Sequence, residues 1–80
     1  METTNVVEIS EKGNIEIKAF ESTPEGIKKA EELFKEVVKE QIKKETGEEA
    51  NEKDLEMFLD DGRFAVGGYS EYELLLVHSN

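Results

Sequence analysis

An apolar stripe in the middle of the chain is the feature that most constrains its fold. The stripe consists of Ile27, Ala30, Leu33, Phe34, Val37, Val38 and Ile42. Apolar residues that recur at spacings of three and four are typical of an α-helix with one buried side. The sequence therefore predicts a long helix that has to pack against another apolar surface.

Residues on either side of this stripe are typical of helix ends. Ser22 or Thr23 can cap the free amides, Pro24 suits a first turn, and Gly47 supplies a stop. On the polar side three acids each precede a lysine by four residues, in the pairs Glu25–Lys29, Glu31–Lys35 and Glu40–Lys44. A solvated helix face explains that arrangement fully.

Before this helix the apolar period changes to two. The alternating apolar residues are Val7, Ile9, Ile15, Ile17 and Ala19. Such alternation is expected of strands with one buried face. Gly13 and Asn14 lie between the two runs, and both tolerate a positive φ. The segment from about Val6 to Phe20 is therefore predicted to form a β-hairpin that buries its alternating apolar side.

A second, shorter helix is predicted after Gly47. Its cap is Asn51, its end is Gly62, and its apolar stripe is Leu55, Phe58 and Leu59. A closing hairpin follows, in which Phe64 and Val66 alternate, Gly67-Gly68 offers a turn, and Tyr72 to His78 forms a strand.

These elements occur in the order β-β-α-α-β-β. Eighty residues make one domain. Since each helix has one stripe to bury, the simplest assembly is a single α+β domain over residues 1–80. It has one four-stranded, mainly antiparallel sheet with both helices packed on one face.

The last strand predicts an apolar outer face on this sheet. If Glu73 points away from the helices, Leu75 and Val77 point outward with it, near Ala65 and Phe20. An uncovered apolar sheet face indicates a homodimer or another partner site. Shielding of a central strand by the chain termini is the competing explanation.

Residue types argue against catalysis and metal binding. The chain has no cysteine and one histidine, whereas zinc and iron sites draw on several such ligands. Asp54, Asp60 and Asp61 lack the spacing of a calcium loop. His78 lies near the carboxy terminus, where fraying disturbs the geometry that a base requires. No enzymatic activity, catalytic residue, metal or cofactor is predicted.

The formal net charge of −10 limits the classes of partner. It disfavours direct binding to nucleic acid or to an anionic membrane surface, and it favours a basic protein. The start of the chain, Met1 to Thr4, lacks the basic and apolar pattern of a signal, so a cytoplasmic location is expected. Acidity that only maintains solubility is the competing explanation.

Most of the excess charge lies between Gly47 and Gly62. Seven of these sixteen residues are acidic and one is basic. On a helix, Glu52, Glu56 and Asp60 rise in a row along one flank of the apolar stripe. Asp54 and Asp61 line the other flank, and Met57 lies between the two. This surface is predicted to bind a basic partner through the residues Glu48, Glu49, Glu52, Asp54, Glu56, Met57, Asp60 and Asp61.

In size and acidity the chain resembles the phosphate-mimicking inhibitors of phages and mobile elements, such as antirestriction and anti-CRISPR proteins. Those proteins share no common motif, and none is matched here. The resemblance implies an inhibitor that occupies the groove of a nucleic-acid-binding protein. The alternative is a structural or oligomerising module that uses the outer sheet face around Leu75 and Val77. An idealised fold without a partner is a third interpretation, which Gly26 in a first helical turn argues against.

Overall fold

A computed structural model of the protein describes residues 2–10, 12–66 and 72–79. Its elements are β1 (Thr3–Ile9), β2 (Ile15–Glu21), α1 (Pro24–Thr46), α2 (Glu52–Asp61), β3 (Arg63–Val66) and β4 (Tyr72–Ser79). The predicted α+β order is confirmed. The turn predicted at Gly67-Gly68 lies outside the described residues.

The four strands form one antiparallel sheet in the order β2-β1-β4-β3. The two central strands are β1 and β4, which pair from Thr3 with Ser79 to Ile9 with Glu73. The two edges are β2, with seven residues, and β3, with four. The middle of the sheet is therefore built from segments that are far apart in the sequence.

The helix α1 forms as predicted, and Thr23 is its cap. The Thr23 side chain accepts a hydrogen bond from the Gly26 amide, at 3.1 Å. At the other end, Gly47 has a left-handed φ of 76° and its amide donates to the Lys43 carbonyl. This geometry satisfies a free carbonyl of the last turn, and glycine adopts it without strain.

The helix α2 has matching ends and a smaller buried side. The Asn51 side chain accepts from the Lys53 amide at 2.9 Å, and Gly62 closes the helix with a φ of 67°. Its amide donates to carbonyls of the last turn, while its own carbonyl accepts from the Leu76 amide of β4 at 2.9 Å. The end of α2 is thereby fixed to the sheet.

One core lies between the helices and one face of the sheet. Its buried members are Val6, Ala30, Phe34, Val38, Leu55, Phe64 and Leu74. The ring of Phe58 packs edge-on against Phe64, with centroids 5.0 Å apart and an interplanar angle of 86°. Aromatic pairs of this geometry add stability beyond the area that they bury. The core thus joins α2 to β3 as well as α1 to the sheet.

The predicted burial of the first hairpin is wrong. Ile15 and Ile17 are 61% and 62% exposed, and they lie with Val7 and Ile9 on the sheet face away from the helices. The helix side of β2 instead carries the exposed residues Glu16 and Lys18. Alternation locates an apolar side of a strand, but it does not say which side of the sheet the helices cover.

The outer-face prediction is confirmed for β4 and β3 and wrong for Phe20. Strand alternation and the register place Ala65, Leu75 and Val77 on the face away from the helices. Phe20 packs against the core cluster on the helix side. No helix in the described part of the chain is long and apolar enough to cross a membrane.

Candidate interaction surface on the second helix

The second helix is held by one side only. Leu55 is 1% exposed, and the partly buried Phe58 and Leu59 pack beside it against the core. The main contacts of α2 are with α1 and β3. Because a helix has 100° between successive residues, this single buried side leaves the rest of α2 facing solvent.

The predicted acidic residues that belong to α2 are all exposed on that solvent side. We define the acidic face as the exposed residues of α2 that carry this charge, together with the methionine among them: Glu52, Asp54, Glu56, Met57, Asp60 and Asp61. Met57 is 51% exposed. Glu48 and Glu49 are exposed in the connection before the helix. The structure therefore brings six of the eight predicted residues onto one helix.

The spacing within the acidic face follows from the helix. Glu52, Glu56 and Asp60 are four residues apart, which places successive side chains about 5 to 6 Å from each other. Phosphates on one strand of a nucleic acid have a comparable spacing. The row can thus present negative charges at intervals that a phosphate-binding groove accepts.

These carboxylates have no cation in contact. Across residues 2–10, 12–66 and 72–79 one ion pair forms, between Arg63 Nε and Glu73 Oε2 at 2.6 Å. That pair is on the outer side of the sheet and does not involve α2. Lys53, the single basic residue of α2, is exposed. Among the described residues, no carboxylate of the acidic face is therefore neutralised by an ion pair in direct contact.

The two ends of the acidic face have different surroundings. A cleft of about 340 Å³ lies between α1 and the start of α2, lined by Lys39, Glu40, Lys43, Glu49, Ala50 and Glu52. The lysines of α1 therefore lie close enough to Glu49 and Glu52 to lower the local negative potential. Glu56, Asp60 and Asp61 do not line this cleft. Within the acidic face, the C-terminal half of α2 is consequently the part that the lysines of this cleft do not reach.

That half places carboxylates where a helix disfavours them. The backbone carbonyls at the end of a helix carry partial negative charge, so the last turn favours Lys or Arg. The last turn of α1 has Lys43 and Lys44, whereas the last turn of α2 has no basic residue and ends in Asp60 and Asp61. Here the charge pattern opposes local stability.

Sequence reasoning missed a hydrogen-bonded group near the ends of β1 and β4. The fully buried Thr4 hydroxyl lies 3.0 Å from Ser22 Oγ and 3.0 Å from His78 Nδ1. Thr4 and His78 are partners in the register of the two strands. The alternation of β1 and β4 could have indicated this pairing only if their register had been known.

A second missed contact joins Tyr72 to Glu8. The Tyr72 hydroxyl donates to the Glu8 carboxylate. Burial raises the pKa of Tyr72 far above its usual value, and the hydrogen bond with Glu8 and the negative charges of Glu8, Glu40 and Glu16 raise it further. Tyr72 is therefore a neutral hydrogen-bond donor over the whole physiological pH range, which fixes Glu8 under α1.

The described residues include no group of three or more His, Cys, Asp or Glu side chains that could hold a metal ion. No protein-family model matches the chain, and no curated protein or solved structure is significantly similar to it. The functional conclusion therefore depends on the chemistry of the surface.

Proposed function

We propose that the protein is a non-catalytic, cytoplasmic binding protein that presents the acidic face to a basic protein of the nucleic-acid-binding class. Binding would occupy the groove in which such a partner holds phosphates. The observation that supports this proposal best is the unpaired state of the five carboxylates of α2 within the described part of the chain.

The mode of binding follows from the two kinds of side chain on the acidic face. Carboxylates attract a basic groove over several ångströms and accelerate association. Met57 adds an exposed, polarizable apolar group between them, which can fill a shallow pocket and lose its contact with water. The carboxylates would thus raise the association rate and orient the partner, and Met57 would slow dissociation.

The unfavourable end of α2 supports a functional origin for the charge. Natural sequences depart from locally stabilising choices mainly at functional sites. A purely solvated helix has no reason to end in two aspartates, since lysines there would be equally soluble and more stable. Phosphate mimicry, as in the phage inhibitors that the chain resembles, is a reason to keep them.

Charge reversal tests this function directly. The variant Glu56→Lys, Asp60→Lys, Asp61→Lys changes three exposed residues of the half that is remote from the α1 lysines. We expect the wild-type protein to capture basic proteins from a cell lysate at low salt. Capture should fall steeply as salt rises, because exposed charges are screened. The variant should capture none of them at any salt concentration.

A matched control separates the location of the charge from its amount. The variant Glu25→Lys, Glu32→Lys, Glu36→Lys makes the same change in net charge on exposed positions of α1. It should keep most of the capture. Duplex DNA added to the captured complex should displace the wild-type protein, because both occupy one groove. The proposal would be contradicted if both triple variants lost capture equally. It would also be contradicted if capture did not change with added DNA or salt.

A further inference from the structure

The sheet has a broad apolar surface that neither α1 nor α2, the two helices of the described residues, covers. We define the outer face as the apolar residues that point away from the helices: Val7, Ile9, Ile15, Ile17, Ala19, Ala65, Leu75 and Val77. Ile15, Ile17 and Val77 are 61%, 62% and 42% exposed. Single exposed apolar residues are normal, but a contiguous apolar patch on a small soluble protein marks an interaction site.

The register makes this surface continuous across three strands. Val7 of β1 has Ile17 of β2 on one side and Leu75 of β4 on the other. In the next row Ile9 lies beside Ile15. Side chains opposite each other in an antiparallel pair are about 5 Å apart, so these residues touch across the strands. Val7 lies near the middle of the patch.

The outer face is almost neutral in a strongly acidic protein. Arg63 and Glu73 neutralise each other there through their ion pair, and Glu21 adds one charge at the end of β2. The chain as a whole carries −10. A basic partner would find few carboxylates to pair with on this face. A neutral apolar surface is the complementary match, and a second copy of the chain presents one.

The area agrees with what a small dimer needs. Strands about 4.8 Å apart, with about 3.3 Å per residue, give this sheet a projected area on the order of 400 Å² per copy. Because side chains stand out from that plane, two copies in contact bury on the order of 1,000 Å² of accessible surface, where specific interfaces begin.

We propose that a second copy of the chain covers the outer face, so that two sheets pack face to face with the helices on the outside of the dimer. The same patch then meets itself across a two-fold axis, as in most homodimers. The acidic face of each copy lies on α2, on the opposite side of its sheet from this interface, which keeps the repulsion between two acidic chains small. The outer face and the acidic face share no residue, so the dimer does not depend on the proposed function.

Sedimentation equilibrium of the full chain tests the dimer. The wild-type protein should show about twice the chain mass of 9.1 kDa. Ile17→Lys should reduce the apparent mass to that of one chain, because it places an ammonium group inside an apolar interface. Glu16→Lys is the matched control, since it adds the same side chain at the neighbouring exposed position on the other side of β2. It should remain a dimer.

Folding and charge controls keep the test decisive. Val77→Lys, on the other side of the patch, should also give a monomer, and circular dichroism should show that both monomeric variants stay folded. Added salt should leave the dimer intact or strengthen it, in contrast to binding of a basic partner. The triple variant Glu56→Lys, Asp60→Lys, Asp61→Lys should stay dimeric.

A wild-type monomer at every concentration would overturn the inference. So would a dimer that survives Ile17→Lys but not Glu16→Lys, which would indicate pairing through the β2 edge.

Discussion

The two helices of this protein differ in charge balance and in burial. In α1, six acids are balanced by six lysines, and three residues, Ala30, Phe34 and Val38, are fully buried. In α2, five acids face one lysine, and Leu55 alone is buried. Both helices have a side-chain cap at the start and a left-handed glycine at the end. They therefore differ in what their solvent sides do, and not in how they form.

The comparison indicates that α1 mainly stabilises the fold, whereas α2 mainly exposes charged side chains to solvent. The charges, cap and burial of α1 all favour the folded state, as expected of an element that supports the core. The burial and cap of α2 are sufficient to hold it, while its charge distribution costs stability at the C-terminal end. A helix that is weakly buried and strongly charged is suited to presenting a surface.

The largest expected effect is in the core under α1. Phe34→Ala should lower the free energy of unfolding by about 3 to 5 kcal/mol, because it removes a fully buried ring and leaves a cavity. Urea denaturation measures the change. Glu32→Ala, at an exposed position of the same helix, should stay within about 0.5 kcal/mol of wild type. A small loss at Phe34 would show that α1 is not the main support of the fold.

The next effect is at the start of α1. A Cβ added to Gly26 would lie 2.0 Å from the Glu21 carbonyl oxygen, which is backbone and cannot move cheaply. Gly26→Ala should therefore destabilise by about 1 to 3 kcal/mol, although alanine in an open helical position would gain up to about 1 kcal/mol. Thermal unfolding of Gly26→Ala, with Lys28→Ala as the control, measures the balance. A more stable Gly26→Ala would mean that α1 does not approach β2 so closely.

The contact between Tyr72 and Glu8 beneath α1 makes stability depend on pH. The folded pKa of Tyr72 is raised above the unfolded value of about 10. The unfolded state therefore loses this proton first, and the stabilisation present below pH 10 declines as pH rises further. Tyr72→Phe should cost about 1 to 2 kcal/mol at neutral pH, and its difference from wild type should shrink above pH 10.

Urea unfolding of both proteins across this pH range gives the comparison. Subtracting one curve from the other cancels the lysines, which titrate in the same window. A difference that stays constant through pH 11 would show that the Tyr72 hydroxyl does not have a raised pKa.

The smallest effect tests the contrast between the helices itself. Asp60→Lys with Asp61→Lys should raise stability by about 0.3 to 1 kcal/mol per residue, because lysines suit the last turn of a helix. The mirror variant, Lys43→Glu with Lys44→Glu, should lower stability by a similar amount at the end of α1. Chemical denaturation at low salt resolves both. If the α2 variant were destabilised, its aspartates would be supporting the fold and not displaying charge.

Local pattern was sufficient to predict the elements but not the side of the sheet that is covered. Helices α1 and α2 could be predicted closely because their formation depends on residues that are near each other in the sequence. These are the stripe from Ile27 to Ile42 and the glycines at 47 and 62. In β1, Val6 and Val7 are equally apolar, and the polar Thr4 is on the buried side. Only the tertiary packing, in which Val6 is 4% exposed and belongs to the core under α1, shows which of the two valines faces the helices.

In the candidate site, too, some features could be predicted from the sequence and others depend on tertiary packing. Exposure of Glu56, Asp60 and Asp61 follows from the helical period and could be read from the sequence. The closeness of Lys39 and Lys43 to Glu52 could not, because it depends on how α1 and α2 pack. The extent of the outer face was also hidden, since it depends on the register that aligns Ile17, Val7 and Leu75.

The pairing of β1 with β4 at the centre of the sheet has a consequence for biosynthesis. A ribosome releases β1 long before β4, so the strand that completes the core emerges only after both helices. Contacts between such distant segments also slow folding, because a long loop must close before they form. During that interval the unpaired edge of β1 is open to other nascent chains. The protein should therefore gain more from a holding chaperone during translation than its small size implies.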